Sequence, residues 1–152
     1  MTARIYKCPV CGNVIVKLVD SGVDPVCCGQ PMKLMEPKVN EEYNEKHLPV
    51  VCRTDDGMLQ VRVGQVAHHM TAEHHIAFIL AETHCGMQVC RLENGHPAEA
   101  VFNDCQQEIK AVYAYCNLHG LWVCRDIPPR CCNVGPESEC KKQGSSGNCV
   151  KE

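Results

Sequence analysis

The stretch Tyr115-Cys116-Asn117-Leu118-His119-Gly120-Leu121-Trp122 holds a thiol and an imidazole three positions apart, followed by a glycine and the only tryptophan of the chain. One short turn can direct both side chains to a single metal ion, and Gly120 can adopt a backbone angle that other residues resist. In a chain with 14 cysteines, however, a Cys-x-x-His pair also arises by chance. A buried cysteine beside a surface histidine is therefore the alternative, and the remaining histidines and cysteines decide between the two.

The composition describes a globular chain with one ordinary domain, or with one domain and a very small second one. The 152 residues are 45% hydrophobic and carry a net charge of −3, which gives no general reason to expect binding to nucleic acid or to a membrane. No apolar run reaches membrane-spanning length, and residues 1–7 lack the apolar core of a secretory signal. We therefore expect a cytoplasmic protein whose cysteines are reduced, as metal ligands or free thiols.

Two cysteine pairs mark the first thirty residues. Cys8 and Cys11 form a Cys-x-x-Cys knuckle, whereas Cys27 and Cys28 are adjacent, with a proline before them and a glycine after them. Successive strand residues point to opposite faces, so both thiolates of the second pair reach one metal only if the backbone bends there. A segment below about 40 residues cannot form a sufficient apolar core, so it usually needs a bound metal, disulfides or a partner chain. Four thiolates suit iron or zinc. The alternatives are free thiols or a strained Cys27–Cys28 disulfide.

From Val50 onward the sequence alternates between apolar and polar residues in short segments, with no long amphipathic helix between them. Turn signals at residues 55–57 and 93–95 separate these segments. This spacing predicts an antiparallel β-sandwich. The predicted strands are Leu59–Gly64, Ile76–Leu80, Met87–Cys90 and Ile109–Tyr115, after an earlier one at Val14–Val19.

Two histidine pairs, His68-His69 and His74-His75, lie in the loop between two predicted strands. Protonated imidazoles so close together would repel, and a metal that coordinates them removes the repulsion. A pH-sensitive surface patch is the alternative. Upstream, His47 follows Glu45 and Lys46, and without further context it would be an ordinary exposed histidine beside a solvated charge pair.

Together these segments resemble the desulfoferrodoxin family, the two-domain form of superoxide reductase, over about residues 5 to 125. Several independent motifs occur in the order that the family shows. They are Cys8-x-x-Cys11 with Cys27-Cys28-Gly29-Gln30-Pro31-Met32, Glu45-Lys46-His47-x-Pro49, His68-x-Met70-x-x-x-His74-x-Ile76, Ala98-Glu99-Ala100-Val101-Phe102, and the stretch from Tyr115 to Trp122.

The resemblance implies an all-β chain with a desulforedoxin-like metal-knuckle domain in residues 1–36. An immunoglobulin-like antiparallel β-sandwich follows in residues 37–126. The cysteine-rich extension in residues 127–152 is not part of the resemblance. The resemblance also implies two iron sites, the first of which could hold zinc as a substitute. The ligands would be Cys8, Cys11, Cys27 and Cys28 at the tetrathiolate site, and His47, His68, His74 and His119 with an axial Cys116 at the catalytic site.

The activity that the resemblance implies is the one-electron reduction of superoxide to hydrogen peroxide, by a homodimer that takes electrons from a rubredoxin-like donor. Lys46 would attract the superoxide anion, and Glu45 matches the family glutamate that caps the ferric iron. The competing hypotheses are an iron- or zinc-binding electron-transfer protein, or a thiol redox sensor, without superoxide reductase turnover.

Some residues depart from the family pattern. His69 and His75 stand where proline and an aromatic residue are common, so exchange of a ligand with its histidine neighbour stays open. Five cysteines match no ligand and are expected to be small buried residues or free thiols. These are Cys52, Cys85, Cys90, Cys105 and Cys124. The tail cysteines Cys131, Cys132, Cys140 and Cys149 could form a further thiolate site or lie in a flexible segment.

Overall fold

The computed structural model describes residues 2–39, 44–103 and 108–129. Strands form almost all of the regular structure there, and the helix α1 (Asn44–His47) has four residues. The predicted all-β class is therefore confirmed. Within the described ranges, no helix has the length and apolar character needed to span a membrane. Cys105 and the tail cysteines Cys131, Cys132, Cys140 and Cys149 lie outside the described residues.

The N-terminal part contains a three-stranded antiparallel sheet and a small hairpin. The sheet has the order β2-β1-β5, and the hairpin pairs β3 with β4. The predicted strand at Val14–Val19 is shorter in the structure, because its last two residues lie beyond the pairing with β1. The strands are β1 (Arg4–Lys7), β2 (Val14–Lys17), β3 (Val26–Cys27), β4 (Gln30–Pro31) and β5 (Lys33–Leu34). The predicted domain boundary after residue 36 stays a prediction.

Seven further strands form two antiparallel sheets that pack as the predicted β-sandwich. One sheet has the order β10-β7-β6 and the other the order β12-β11-β8-β9. Apolar side chains from both sheets fill the space between them, Leu59, Val61 and Val63 from one and Ile79 and Val112 from the other. The strands are β6 (Pro49–Arg53), β7 (Leu59–Val63), β8 (Ile76–Thr83), β9 (Met87–Arg91), β10 (Glu99–Phe102), β11 (Ile109–Cys116) and β12 (Gly120–Cys124).

Strand β11 is buried on both faces, unlike the half-exposed strand that simple alternation predicts. One face lies in the sandwich core, where Val112 and Ala114 are fully buried. The other face packs against β1, and Tyr113 and Tyr115 share a cluster with Ile5. The N-terminal sheet thus covers the outer face of the four-stranded sheet, which accounts for the aromatic residues on that side.

Gly64, directly after β7, allows the backbone to pass close to α1. Its φ is +81°, and a Cβ atom there would lie 2.5 Å from the carbonyl oxygen of Val66 and 2.7 Å from that of Lys46. The next two amides also connect to the helix, because Gln65 N and Val66 N donate to Glu45 O at 2.7 and 3.1 Å. The loop after β7 and α1 therefore hold each other in place.

Replacing Gly64 with alanine should lower the free energy of unfolding more than the same change at Gly57. Both glycines have a positive φ, at +81° and +82°, so both variants carry strain of about 1–2 kcal/mol. Only the Cβ at Gly64 meets backbone atoms, which should add a further loss of about 1–3 kcal/mol. Denaturant unfolding of both variants measures the difference, and equal losses would show that the close approach to Lys46 imposes no constraint.

Candidate metal centres

The first candidate centre begins at the turn after β1. Gly12 N donates to Cys8 O at 3.1 Å, and Cys8 N donates to Asn13 O at 2.8 Å. This turn requires the positive φ of +77° at Gly12, which glycine adopts without strain. It places the sulfurs of Cys8 and Cys11 on the same side.

The second cysteine pair lies at the hairpin between β3 and β4. Cys27 pairs with Gln30, and the two turn residues, Cys28 and Gly29, have φ values of +53° and +76°. Two successive positive φ angles define the tight turn that matches the twist of a hairpin. The bend that the sequence requires is therefore present, and Cys28 itself adopts the left-handed conformation. As a result, the side chains of Cys27 and Cys28 do not alternate between faces.

The four sulfurs have the spacing of a metal site and not that of a disulfide. Cys27 Sγ lies 3.6 Å from Cys11 Sγ and 3.9 Å from Cys28 Sγ, and all four ligand atoms lie within 4.8 Å of one another. A tetrahedron with metal–sulfur bonds of about 2.3 Å places its sulfurs about 3.8 Å apart, whereas a disulfide requires about 2.0 Å. The alternative of a Cys27–Cys28 disulfide is therefore wrong.

The electrostatics of this cluster also favour a cation. A hydrogen bond with the neighbouring Cys11 sulfur raises the pKa of the Cys28 thiol to about 12, and repulsion between the two thiolates makes a smaller contribution in the same direction. Conversely, the backbone N–H of Cys11 lowers the pKa of the Cys8 thiol to about 6. A metal ion would deprotonate all four thiols and cancel the repulsion among them.

The second candidate centre combines residues from three separate segments of the chain. One imidazole comes from the end of α1, two from the loop between β7 and β8, and the last imidazole and the thiol from the β11–β12 hairpin. All five ligand atoms lie within 4.8 Å of one another. The residues are His47, His68, His74, Cys116 and His119.

The four imidazoles form a square with nearly equal sides. Adjacent ring centroids are 4.7 Å apart for His47–His68, 4.5 Å for His68–His74, 4.9 Å for His74–His119 and 4.5 Å for His119–His47. The diagonal between His47 and His74 is longer, at 6.1 Å. In a tetrahedral arrangement all of these separations would be equal. The set therefore does not have the tetrahedral arrangement of a structural zinc site.

Cys116 completes the cluster from the hairpin. Its Sγ lies 3.5 Å from Nδ1 of His119 and accepts the backbone N–H of the same residue at 3.4 Å. Gly120, which pairs with Cys116 across the hairpin, has the positive φ expected from the sequence, at +85°. Burial raises the pKa of the Cys116 thiol, so a thiolate there requires a nearby cation.

Two buried imidazole nitrogens identify this cluster as a site that fits a metal. His68 donates its Nδ1–H to the carbonyl of His69 at 2.6 Å, so in the neutral ring Nε2 carries the lone pair. That Nε2 atom is buried and has no hydrogen-bond partner, and the same holds for Nε2 of His74. Burial lowers the pKa of His68 to about 4 and lowers that of His74, which keeps both rings neutral. Neutral imidazoles with inward lone pairs are metal ligands.

The structure distinguishes the members of each histidine pair. His68 and His74 contribute ligand atoms to the cluster. His69 is exposed, and its ring centroid lies 6.1 Å from that of His74. His75 donates its Nδ1–H to Thr71 O at 3.0 Å. The neighbours therefore point elsewhere, and the register expected from Met70 and Ile76 agrees with this placement.

Lys46 and Glu45 precede His47 on α1. Lys46 is half-buried, and its positive charge contributes to the lowered pKa of His74, after burial and the neighbouring histidines. Its ammonium group therefore acts on the imidazole cluster. The Glu45 side chain is exposed, and its backbone carbonyl accepts the two amides that follow Gly64.

Two contacts of the second centre do not follow from motif spacing. The Trp122 ring stacks on His47, with centroids 5.2 Å apart and an angle of 16° between the planes. The ammonium group of Lys38 lies over the Trp122 ring, 5.5 Å from its centroid. The motif contains Trp122, so its sequence could have suggested that a large ring packs beside the ligands. Lys38 lies in the polar linker, where nothing in the sequence predicts a contact with Trp122.

The surplus cysteines of the described ranges belong to neither cluster. None of them forms a disulfide, which agrees with the free-thiol alternative of the sequence analysis. Cys85 is exposed, so of the two alternatives only the free thiol applies to it. The other three, Cys52, Cys90 and Cys124, are half-buried.

Comparison with known proteins agrees with this geometry. Residues 1–35 match the model of the desulfoferrodoxin N-terminal domain, and residues 39–125 match that of desulfoferrodoxin. A desulfoferrodoxin homolog of Archaeoglobus fulgidus is 44% identical over 120 residues, which are 78% of this chain and 94% of that protein. A superoxide reductase of Pyrococcus abyssi is 34% identical over 102 residues, which are 56% of this chain and 89% of that protein.

Among solved structures, the superoxide reductase from Treponema pallidum is similar with a TM-score of 0.68 and 26% identity, over 80% of this chain and 97% of that one. The family models together cover nearly all of the first 125 residues. The resemblance expected from the motifs is thus confirmed: the chain belongs to the desulfoferrodoxin family.

Proposed function

We propose that this chain is a superoxide reductase, an oxidoreductase that converts superoxide to hydrogen peroxide. The observation that carries the proposal is the square of four imidazoles with the Cys116 sulfur beside it. Five donors exceed the four that zinc usually takes, and they would suit iron, which could bind a small ligand besides them. The superoxide reductases among the relatives support the same activity.

The residues that would hold the catalytic iron are His47, His68, His74, His119 and Cys116. Iron bound there would supply one electron to superoxide, which would become hydrogen peroxide on taking up two protons. A rubredoxin-like protein is the proposed source of the electron. At the other centre, Cys8, Cys11, Cys27 and Cys28 would hold a second iron, although four thiolates by themselves also suit zinc.

Lys46 attracts the substrate to the site. The chain carries a net charge of −3, so a superoxide anion is repelled on average and benefits from a local cation beside the histidines. The ammonium group can also order the water that delivers protons. Glu45, one position earlier, is the residue whose carboxylate would bind the oxidised metal.

The assembly that we propose is a homodimer. Three apolar side chains of the N-terminal part, Leu18, Val19 and Val23, are exposed by 72, 80 and 71%. A second copy of the chain would remove such a surface from water. The cytoplasmic location stays a prediction.

Reconstitution with iron should yield two metal ions per chain. Cys28→Ser removes one sulfur of the tetrathiolate cluster, and His47→Ala removes one corner of the square, so each variant should retain one ion. The matched control is Cys85→Ser, because this exposed cysteine lies in neither cluster. Elemental analysis after anaerobic loading measures the count. Two ions in Cys28→Ser, or fewer than two in Cys85→Ser, would contradict the assignment.

The oxidised protein should show thiolate-to-iron charge-transfer absorption from both centres. Cys116→Ser should lose the band of the second centre and keep the absorption of the tetrathiolate centre, since an oxygen ligand is a poorer electron donor than sulfur. Cys90→Ser should retain the band, because that half-buried thiol lies outside both clusters. Visible absorption spectra measure the effect. A colourless wild-type protein would favour a zinc-binding protein instead.

Lys46→Ala should slow the reaction with superoxide by about tenfold at low ionic strength, because the variant lacks the local cation. The difference should shrink near 1 M salt, where charges are screened beyond about 3 Å. Pulse radiolysis measures the rate constant, and Lys46→Arg should restore it. Lys110→Ala is the control, because it changes the net charge by the same amount. Lys110 lies on β11, six residues before Cys116 and about 20 Å away from it. An equal rate in Lys46→Ala and wild type would refute steering by Lys46.

A further inference from the structure

Asn117, the residue after Cys116, makes three hydrogen bonds to the loop that carries His74. Its backbone N–H donates to His75 O at 3.1 Å. Its side-chain Oδ1 accepts the His75 N–H at 2.9 Å, and its Nδ2 donates to Glu73 O at 2.8 Å. The partners lie directly before and directly after His74, so one residue holds both sides of this ligand.

This contact lies at the point where the strand ladder ends. Pairing of β8 with β11 shifts register after Tyr115, and its last pair is Cys116 with Ile76. Beyond that pair, the Asn117 side chain continues the connection between the two segments. The loop also has an internal turn, in which Thr71 N donates to His74 O at 3.0 Å and His74 N donates to Thr71 Oγ1 at 3.1 Å. That turn shapes the loop but does not connect it to Cys116.

The other imidazoles have orienting contacts of their own. His68 is oriented by its hydrogen bond to the His69 carbonyl, and His47 by stacking on Trp122. His119 belongs to the same hairpin as Cys116 and is held to it through its backbone N–H. For His74, the contacts described above act on the backbone and arise from Asn117 and Thr71.

We infer that Asn117 is a positioning residue that holds His74 at its corner of the square relative to the Cys116 sulfur. The inference rests on the proposed function, since the square is the proposed iron site. An amide is required because the loop offers a backbone N–H on one side of His74 and a carbonyl on the other. The Asn117 amide offers an acceptor oxygen and a donor nitrogen on separate atoms, whereas a carboxylate has no donor and a hydroxyl has both functions on one atom.

The test compares how tightly the second centre retains Fe(II) in the full-length chain. Asn117→Ala removes both side-chain hydrogen bonds and should lower the affinity by about 10- to 100-fold, the usual effect of losing a residue that orients a ligand. Competition with a chelator under anaerobic conditions, followed by metal analysis, measures the loss. The tetrathiolate centre of the same molecule is the internal control and should retain its ion at the wild-type chelator concentration.

A second readout separates positioning from a general loss of stability. The charge-transfer band of the oxidised centre should shift and broaden in Asn117→Ala, because His74 no longer occupies one position relative to the sulfur. Glu73→Gln is the matched control, since Glu73 contributes only its backbone carbonyl to the contact. This variant should match the wild type in both readouts.

Asn117→Asp provides the test should the alanine variant fail to fold. It keeps the size and the acceptor for the His75 N–H but loses the donor to Glu73, so its affinity should lie between those of wild type and Asn117→Ala. Affinity within twofold of wild type in the folded variants, with an unchanged band, would overturn the inference. A wild-type chain without iron at the second centre would instead overturn the proposed function, and the same comparison with Zn(II) would still test Asn117.

Discussion

Imidazole nitrogens that are buried without a hydrogen-bond partner are the constraint on which this structure depends. Nε2 of His68 and of His74 are both in this situation, inside a cluster whose five ligand atoms lie within 4.8 Å of one another. An unsatisfied buried polar atom costs about 1–3 kcal/mol, and several of them in one cluster would destabilise the fold. A metal ion converts this cost into binding free energy, so metal binding and the order of the loop between β7 and β8 are coupled.

The sandwich supplies the precision that such a cluster needs. Its donors come from the ends of regular elements, at the last residue of α1, at the last residue of β11 and in the loop that leads into β8. A hydrogen-bonded ladder fixes the end of β11, and the hairpin of β11 and β12 places Cys116 beside His119. Contacts outside the ligand set complete the arrangement, with Gly64 against α1 and Trp122 against His47. The site is thus built at one rim of a rigid scaffold.

The N-terminal part obtains its cohesion in two ways. Its own apolar cluster is small, with Tyr6, Cys8 and Met32 as the buried members. A segment of this size cannot form a self-sufficient core, and four thiolates on one ion would compensate. The opposite face of β1 adds a second contribution, because Ile5 packs on Tyr113 and other side chains of the four-stranded sheet. The same docking explains why β11 is apolar on both faces.

The sequence by itself determined the ligand types, their order and the short-range geometry, because a spacing of three residues and one glycine suffices to aim Cys116 and His119 together. The motifs also identified the family, and with it the all-β fold and the two clusters. Only the tertiary structure decided which histidine of each pair faces inward, how Cys28 adopts its turn conformation, and what covers the outer face of β11. It also revealed that Asn117 forms hydrogen bonds to the residues before and after His74, although His74 lies 43 positions earlier in the chain than Asn117. Local spacing constrains what one turn can bring together, whereas contacts between distant segments depend on how strands pair and sheets pack.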